Sequence, residues 1–234
     1  SLNRATVRVL RRLGYDVWIP ARQTCCGALH AHAGLREDAQ KLARQNVDVF
    51  LAEPCDAIVS NAAGCGAALK SYADWLASDP VYVGKAKVFV QMVRDVTEFL
   101  DATGVNGQLR PLKVRVTYQD PCHLAHVQKL REAPRRLLRA VPGLELREML
   151  HADLCCGSGG IYSLLEPSMS LEILRRKMEE VNETGAEWVV TANTGCWVQL
   201  KAGVRLFGRG QRVLHVVEVL DEACRAGGEV SGGL

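Results

Sequence analysis

Two adjacent cysteines followed by glycine occur twice in this chain, at Cys25-Cys26-Gly27 and at Cys155-Cys156-Gly157. A Gly-Cys pair follows each copy, at Gly64-Cys65 and at Gly195-Cys196. The number of residues from Cys25 to Cys155 is almost the same as the number from Cys65 to Cys196, so the whole pattern repeats at one period. Self-similarity at a fixed period indicates a duplicated structural unit. The sequence therefore predicts two tandem repeats, each with its own set of thiols.

The predicted elements alternate between strands and helices in both repeats, which we place at residues 1–108 and 112–234. Such alternation predicts an α/β fold in which each repeat is a small parallel sheet flanked by helices, and we expect pseudo-two-fold symmetry between the repeats. The predicted strands are 15–19, 57–60, 114–118, 144–149, 188–191 and 212–216. The predicted helices are 3–13, 36–52, 67–76, 83–102, 124–140, 168–183 and 217–226, with a linker at 104–111 and a loose tail at 227–234.

The motif cysteines follow predicted strands or begin predicted helices. Because sites in parallel sheets form beyond the carboxyl ends of the strands, we expect the thiols of each repeat to meet at one rim. Soft thiolates select iron–sulfur clusters, zinc or copper(I), and glycines beside them let backbone N–H groups approach the sulfur atoms. The predicted metal ligands are Cys122, Cys155, Cys156 and Cys196 in the second repeat and Cys25, Cys26 and Cys65 in the first, with Gly157, Gly160 and Gly195 beside them.

Other interpretations of the cysteines and histidines stay open. The motif cysteines could be small buried hydrophobic residues, and Cys155-Cys156 could form a strained vicinal disulfide. We interpret Cys55 and Cys224 as packing residues. His123 and His126 flank Cys122 and could donate to sulfur, or could cap or pack instead. His30 and His32 follow the first Cys-Cys-Gly and could approach its site.

The first repeat has no counterpart of Cys122, because a position one repeat period earlier would lie upstream of Ser1. The chain also begins directly in a helical pattern without an initiator methionine. We interpret it as a piece of a longer protein, and we expect the site of the first repeat to be incomplete.

Composition excludes several classes of protein. The net charge of +3 gives no reason to expect a nucleic-acid partner. The basic runs Arg135-Arg136 and Arg175-Arg176-Lys177 have helical spacing, so we interpret them as solvent-exposed faces. No apolar run reaches the ~18 residues of a spanning helix, and no signal-peptide pattern opens the chain. We therefore expect a cytoplasmic protein whose nine cysteines serve metal or redox chemistry rather than a disulfide scaffold.

The duplicated Cys-Cys-Gly, the upstream Asp120-Pro121-Cys122-His123 and the downstream Gly-Cys resemble the cysteine-rich (CCG) domain. That domain occurs in heterodisulfide reductases and in iron–sulfur subunits of several dehydrogenases. The strings Cys25-Cys-Gly-Ala-Leu-His30, Cys155-Cys-Gly-Ser-Gly-Gly-Ile-Tyr162 and Thr191-Ala-Asn-Thr-Gly-Cys196 are most similar to iron–sulfur subunits of bacterial glycolate oxidases, and the resemblance covers nearly the whole chain.

The resemblance implies an electron-transfer subunit that relays electrons from FAD-binding glycolate oxidase subunits. It also implies an N-terminal ferredoxin-like segment, which this sequence lacks, and a location that becomes peripheral at the inner membrane only through the complex. The noncubane clusters of heterodisulfide reductase need a final Cys-x-x-Cys, but the last position of that motif is Gln199 in the second repeat and Ala68 in the first. The four thiols of the second repeat suit a cubane [4Fe–4S] cluster or zinc. Two alternatives are a zinc-binding or metal-free docking module of the same complex and a thiol redox subunit of the heterodisulfide reductase type.

Overall fold

The computed structural model describes residues 2–105 and 109–225, and these form two compact units. The two-stranded unit is Trp18–Val96. The four-stranded unit takes in the described residues up to Val17 together with those from Thr97 onward. The first helix of the chain therefore packs within the four-stranded unit, so the compact units do not follow the limits 1–108 and 112–234. Those limits stay a prediction about the sequence repeats.

In chain order, the helices are α1 (Leu2–Arg12), α2 (Ala28–His32), α3 (Arg36–Phe50), α4 (Ala63–Lys70), α5 (Tyr72–Trp75), α6 (Val83–Met92), α7 (Val96–Thr103), α8 (Glu132–Arg139), α9 (Tyr162–Leu165), α10 (Pro167–Glu183), α11 (Thr194–Phe207) and α12 (Val216–Arg225). The strands are β1 (Ile58–Ser60), β2 (Val93–Asp95), β3 (Val114–Tyr118), β4 (Leu144–Leu146), β5 (Trp188–Thr191) and β6 (Arg212–His215). A turn of π-helix, His123–Val127, follows β3.

Both sheets are wholly parallel. In the four-stranded unit the order is β4-β3-β5-β6, and Val116 pairs with Leu146 on one side and with Trp188 on the other. In the two-stranded unit β1 pairs with β2, with Ile58 opposite Val93. Parallel strands are buried on both faces, which explains why Val116 is fully buried and why these strands are rich in valine. The predicted α/β fold with two small parallel sheets flanked by helices is confirmed.

Helix α1 illustrates how the four-stranded unit is held together. Ala5, Val9 and Leu10 lie on one face of this helix and are buried. Arg8 of the same helix makes a bidentate ion pair with Asp221 of α12, with hydrogen bonds of 2.9 and 2.6 Å.

Among the described residues, no helix is both long and apolar enough to cross a membrane.

Three predicted elements are wrong. The predicted helix 83–102 is interrupted by β2, because Val93-Arg94-Asp95 completes the sheet beside β1. The predicted helix 124–140 is a π-helical turn, a break at Lys129 (φ 59°) and the shorter α8. The predicted strand 15–19 has no strand partner among the described residues, and a strand needs one.

The other predicted strands appear, although 144–149 is shortened to β4. The predicted helix 67–76 begins earlier and is divided into α4 and α5. The linker prediction falls partly on residues 106–108, and the tail prediction falls on residues 227–234. Both of these segments lie outside the described residues.

Candidate metal centre

The four cysteines predicted in the second repeat line one small cavity of about 40 Å³, called here the four-thiol cavity. It lies beyond the carboxyl ends of β3, β4 and β5, which deliver Cys122, the Cys155-Cys156 pair and Cys196 respectively. Its lining residues are Gln119, Cys122, His123, Cys155, Cys156, Ser158, Gly159, Gly160, Asn193 and Cys196. The structure thus brings together side chains from three separate loops of the sequence.

Hydrogen bonds link three of the four thiols of this cavity, and the fourth, Cys122, lies near Cys155. Cys156 hydrogen-bonds with both Cys155 and Cys196. Cys122 is half-buried; burial raises the pKa of its thiol, and the nearby Cys155 raises it further. Cys156 and Cys196 are buried, Cys122 is half-buried, and Cys155 is the most exposed residue of the four. All nine cysteines are free, so the vicinal disulfide is absent.

The donor set fits a polynuclear metal group held by soft ligands. Four thiols from three loops are the ligand type and number that iron–sulfur clusters use. Within residues 2–105 and 109–225, no three His, Cys, Asp or Glu side chains are arranged to hold a single metal ion. The ligand roles of these cysteines stay a prediction, which rests on their convergence and on the chemistry of sulfur.

Gly157 shapes the loop that carries Cys155 and Cys156. Its φ of +90° is left-handed, and its N–H donates to the sulfur of Cys155 at 3.3 Å. A Cβ at this position would collide with the backbone carbonyl oxygen of Ser170 and would lie 3.2 Å from Gln199 Nε2. The Ser170 hydroxyl donates to the Gly157 carbonyl at 2.8 Å, and Gln199 donates to that hydroxyl at 3.1 Å. Only glycine fits this turn, and Ser170 of α10 and Gln199 of α11 hold the turn in place.

The loop that carries Cys122 is anchored by a buried ion-pair network. Arg135 makes two 2.8 Å hydrogen bonds to Asp120, which lies two residues before Cys122. It also pairs with Glu148 at 2.9 and 3.1 Å. Burial lowers the pKa of Arg135, but the hydrogen bonds to both carboxylates outweigh it and raise the pKa above its ordinary value. The interpretation of Arg135 as a solvent-exposed residue is wrong, because only 10% of its side chain is exposed.

Cys196 lies in the first turn of α11, where backbone N–H groups have no partner within the helix. Asn193, the residue just before this helix, donates from Nδ2 to the sulfur of Cys196 at 3.4 Å. A Cβ on Gly195 would lie 3.4 Å from the same nitrogen and 3.1 Å from the Ser158 hydroxyl. The contact with the amide nitrogen would be ordinary and the contact with the hydroxyl tight, so Gly195 chiefly leaves room for Ser158.

The two histidines beside Cys122 have different surroundings. His123 lines the four-thiol cavity, and its Nδ1 lies 3.5 Å from the Cys122 sulfur. His126 is absent from the lining and half-exposed; its Nδ1 lies 3.2 Å from Arg131 and its Nε2 3.9 Å from Asp153. The structure thus brings one of the two predicted histidines to the sulfur atoms.

The first repeat gathers its three predicted thiols, Cys25, Cys26 and Cys65, into what we call the three-thiol cluster. Cys26 hydrogen-bonds with Cys65 and with Cys25. The bond with Cys65, then burial, raise the pKa of the Cys26 thiol, whereas the same bond lowers the pKa of Cys65. Gly27, at φ +79°, points its N–H at the Cys25 sulfur at 3.5 Å, as Gly157 does at Cys155.

Two cysteines and two histidines from the sequence analysis do not belong to either thiol set. Cys55 packs against the core of the two-stranded unit, and Cys224 is half-buried on α12. His30 and His32 both lie on the short α2, which follows Gly27. The interpretation of Cys55 as a packing residue agrees with this placement.

Gln119, Ser158 and Asn193 also line the four-thiol cavity, and the cysteine motifs do not indicate them as site residues. Asn193 had a usable signal, since asparagine directly before a predicted helix that carries a motif cysteine can reach that cysteine. Gln119 is buried and bridges loops, donating to the Asp120 carbonyl at 2.6 Å and accepting from Thr191 at 3.2 Å. Nothing in the local sequence pattern indicates that bridge, because it joins two strands.

Both thiol sets lie in parts of the chain that match a known protein family. A sequence model of the cysteine-rich domain, CCG, matches residues 1–70 and 116–201, which contain both thiol sets. The chain belongs to the CCG family. The family predicted from the cysteine motifs is therefore confirmed, and the two matched regions agree with tandem repeats.

Three relatives are similar along almost the whole chain. The probable glycolate oxidase iron-sulfur subunit of Bacillus subtilis is 42% identical over 94% of this chain and 51% of its own length. Lactate utilization protein A is 32% identical in Oceanobacillus iheyensis and 32% in Geobacillus thermodenitrificans. In both cases the match covers 94% of this chain, with 90% and 92% of the relative. The chain thus spans about half the length of the glycolate oxidase relative and nine-tenths of the lactate utilization proteins.

Proposed function

We propose that this chain is an electron-transfer part of an iron–sulfur subunit in a complex that oxidises a 2-hydroxy acid. The observation that carries the proposal is the convergence of four thiols from three strand ends on one cavity. The relatives support it, since the most similar of the three described above is named as an iron-sulfur subunit. In this proposal residues 1–108 and 112–234 are the two repeats, and the second holds the complete site.

Cys122, Cys155, Cys156 and Cys196 would hold a [4Fe–4S] cluster, which when bound accepts and releases single electrons. The backbone N–H of Gly157 and the amide of Asn193 would donate to ligand sulfurs and so set their charge density. Burial of Cys156 and Cys196 would exclude water from the inner side. Exposed Cys155 leaves the outer side open to a partner from which electrons arrive or to which they leave.

The substrate would be oxidised in FAD-binding partner subunits, and this chain would only relay the electrons. The higher identity with the glycolate oxidase relative, 42% against 32%, favours glycolate over lactate as the source of those electrons. We place the complex in the cytoplasm, with any contact with the inner membrane made through partner subunits. A preceding ferredoxin-like segment of the same protein would carry further clusters.

Anaerobic reconstitution of the chain with iron and sulfide tests the cluster. We expect a brown protein with broad visible absorption and at most one fully ligated cluster per chain. Cys156→Ser should reduce the loading, whereas Cys55→Ser, which changes a thiol packed in the other unit, should not. A colourless protein that binds zinc instead would favour the docking-module alternative, and two stoichiometric clusters would contradict the incomplete first site.

Stopped-flow kinetics of the full complex tests the relay. Cys156→Ser should slow reduction of the electron acceptor while leaving flavin reduction by the hydroxy acid intact. Loss of flavin reduction in an assembled complex would contradict the relay, because the chain would then take part in substrate chemistry.

A further inference from the structure

The side chain of Asn193 is directed at a ligand sulfur rather than at the helix backbone. Asparagine is favoured at a helix N-cap because its side-chain oxygen accepts a hydrogen bond from the N–H two or three residues later. Asn193 occupies the N-cap of α11, yet its side chain makes no such capping bond. Its Nδ2 lies 3.4 Å from the sulfur of Cys196, the third residue of that helix. The local structure thus forgoes a common stabilising bond and places an amide donor beside the sulfur.

The three-thiol cluster offers an internal comparison. Its counterpart of Cys196 is Cys65, in the first turn of α4, and the N-cap residue there is Ala62. Ala62 has the same extended backbone, with φ −134° and ψ 106° against −142° and 131° for Asn193. The backbone geometry therefore does not require asparagine, and alanine has no side-chain donor for the sulfur. At the N-cap position, the four-thiol set has an amide donor and the three-thiol cluster has none.

We infer that Asn193 sets the reduction potential of the metal group in the four-thiol cavity by donating a hydrogen bond to the Cys196 sulfur. The inference rests on the proposed function, because it requires a cluster on these thiols. A donor to a ligand sulfur withdraws negative charge from it, and reduction adds negative charge to the cluster. The bond therefore strengthens on reduction and raises the potential. A ligand sulfur carries no proton, so only the NH₂ group of the amide can face it.

The test measures the midpoint potential of the reconstituted chain by anaerobic spectroelectrochemical titration. Asn193→Ala removes the donor, and Asn193→Asp keeps the shape of the side chain while replacing the donor with a charged acceptor. The matched control is Asn182→Ala in the same unit, where Asn182 donates to the Phe207 carbonyl at 2.9 Å and so has a purely structural bond. Thermal unfolding of each variant is measured in parallel.

For Asn193→Ala we expect the ratio of reduced to oxidised cluster at fixed potential to fall about five- to tenfold, or about 40–60 mV at ~59 mV per tenfold for one electron. Asn193→Asp should lower the potential further. Asn182→Ala should lower the unfolding temperature without moving the potential.

An unchanged potential in Asn193→Ala, with the cluster in place, would overturn the inference and leave the proposed function standing. If that variant held no cluster, Asn193→Asp would decide, and an unchanged or raised potential would overturn the inference. A parent chain that forms no cluster would overturn the proposed function and this inference together.

Discussion

Replacing Arg135 with methionine should destabilise the four-stranded unit far more than the same replacement of the neighbouring Arg136. Methionine keeps most of the side-chain volume but removes four hydrogen bonds to two carboxylates. Asp120, whose side chain is only 3% exposed, would lose its cationic partner. Breaking a buried pair by removing one partner costs about 3–5 kcal/mol. That loss is a large part of the ~5–15 kcal/mol by which a typical domain is stable.

Urea unfolding of the metal-free chain measures this loss as a lower midpoint with an unchanged slope. The neighbouring Arg136 provides the control, because it pairs with Asp101 at 2.5 Å while more than half of its side chain is exposed. Exposed pairs are screened by solvent and contribute little, so Arg136→Met should shift the midpoint far less. Equal midpoints for the two variants would refute the reasoning. Because Asp120 precedes Cys122 by two residues, Arg135→Met should also reduce iron loading.

Three further outcomes are expected. Gly157→Ala should destabilise the chain by about 1–3 kcal/mol more than Gly14→Ala in urea unfolding, since both have a left-handed φ but only Gly157 lacks room for a Cβ; equal losses would contradict the collision. His123→Ala should alter the visible spectrum of the reconstituted chain and His126→Ala should not, because only His123 lines the cavity. The hydrogen bond from Cys155 lowers the pKa of the Cys156 thiol, but the bond of Cys156 with Cys196 and the burial of Cys156 raise this pKa to about 12, above the ordinary 9.0. Between pH 9 and 12 the thiol therefore keeps its proton in the native chain and loses it in the unfolded chain, so the free energy of unfolding of the metal-free chain should fall over this range in stepped-pH denaturation. Cys156→Ala should make that fall smaller.

The convergence of the thiols could be predicted because it depends on a general property of the fold. Cysteines that follow parallel strands reach the same edge of a sheet, whatever the loops between them contain. Cys122, Cys156 and Cys196 are far apart in the sequence, yet each follows one of three adjacent strands. Once the strand–helix alternation is recognised, the candidate site follows from it.

The buried charges could not be predicted in this way. Arg135 and Lys177 belong to basic runs with helical spacing, and such runs usually face solvent. Lys177 is instead 2% exposed, with its ammonium 2.6 Å from the His151 carbonyl. Their partners lie on other elements of the fold, so the pairing exists only in the folded chain. Strand β2 was missed for a similar reason, because α4, α5 and α6 separate it in sequence from its partner β1.

The supports of the two Cys-Cys-Gly loops differ although the loops themselves agree. In the second repeat, the Gly157 carbonyl accepts from Ser170. In the first, the Cys26 carbonyl accepts from the hydroxyl of Tyr72 at 2.9 Å, and Asn46 donates to the Cys25 carbonyl at 3.0 Å and to Tyr72 at 3.0 Å. Different kinds of side chain therefore support the two loops.

What the loops share is the turn itself. Gly27 and Gly157 both have a left-handed φ and both direct an N–H at the first sulfur of the pair. Because different side chains hold the same turn, the requirement falls on the position of that N–H and not on any one support. A thiolate or a ligand sulfur gains from such a donor, whereas a cysteine that only fills space does not. The common turn therefore favours a ligand role over simple packing for both pairs, including the pair whose set contains three thiols.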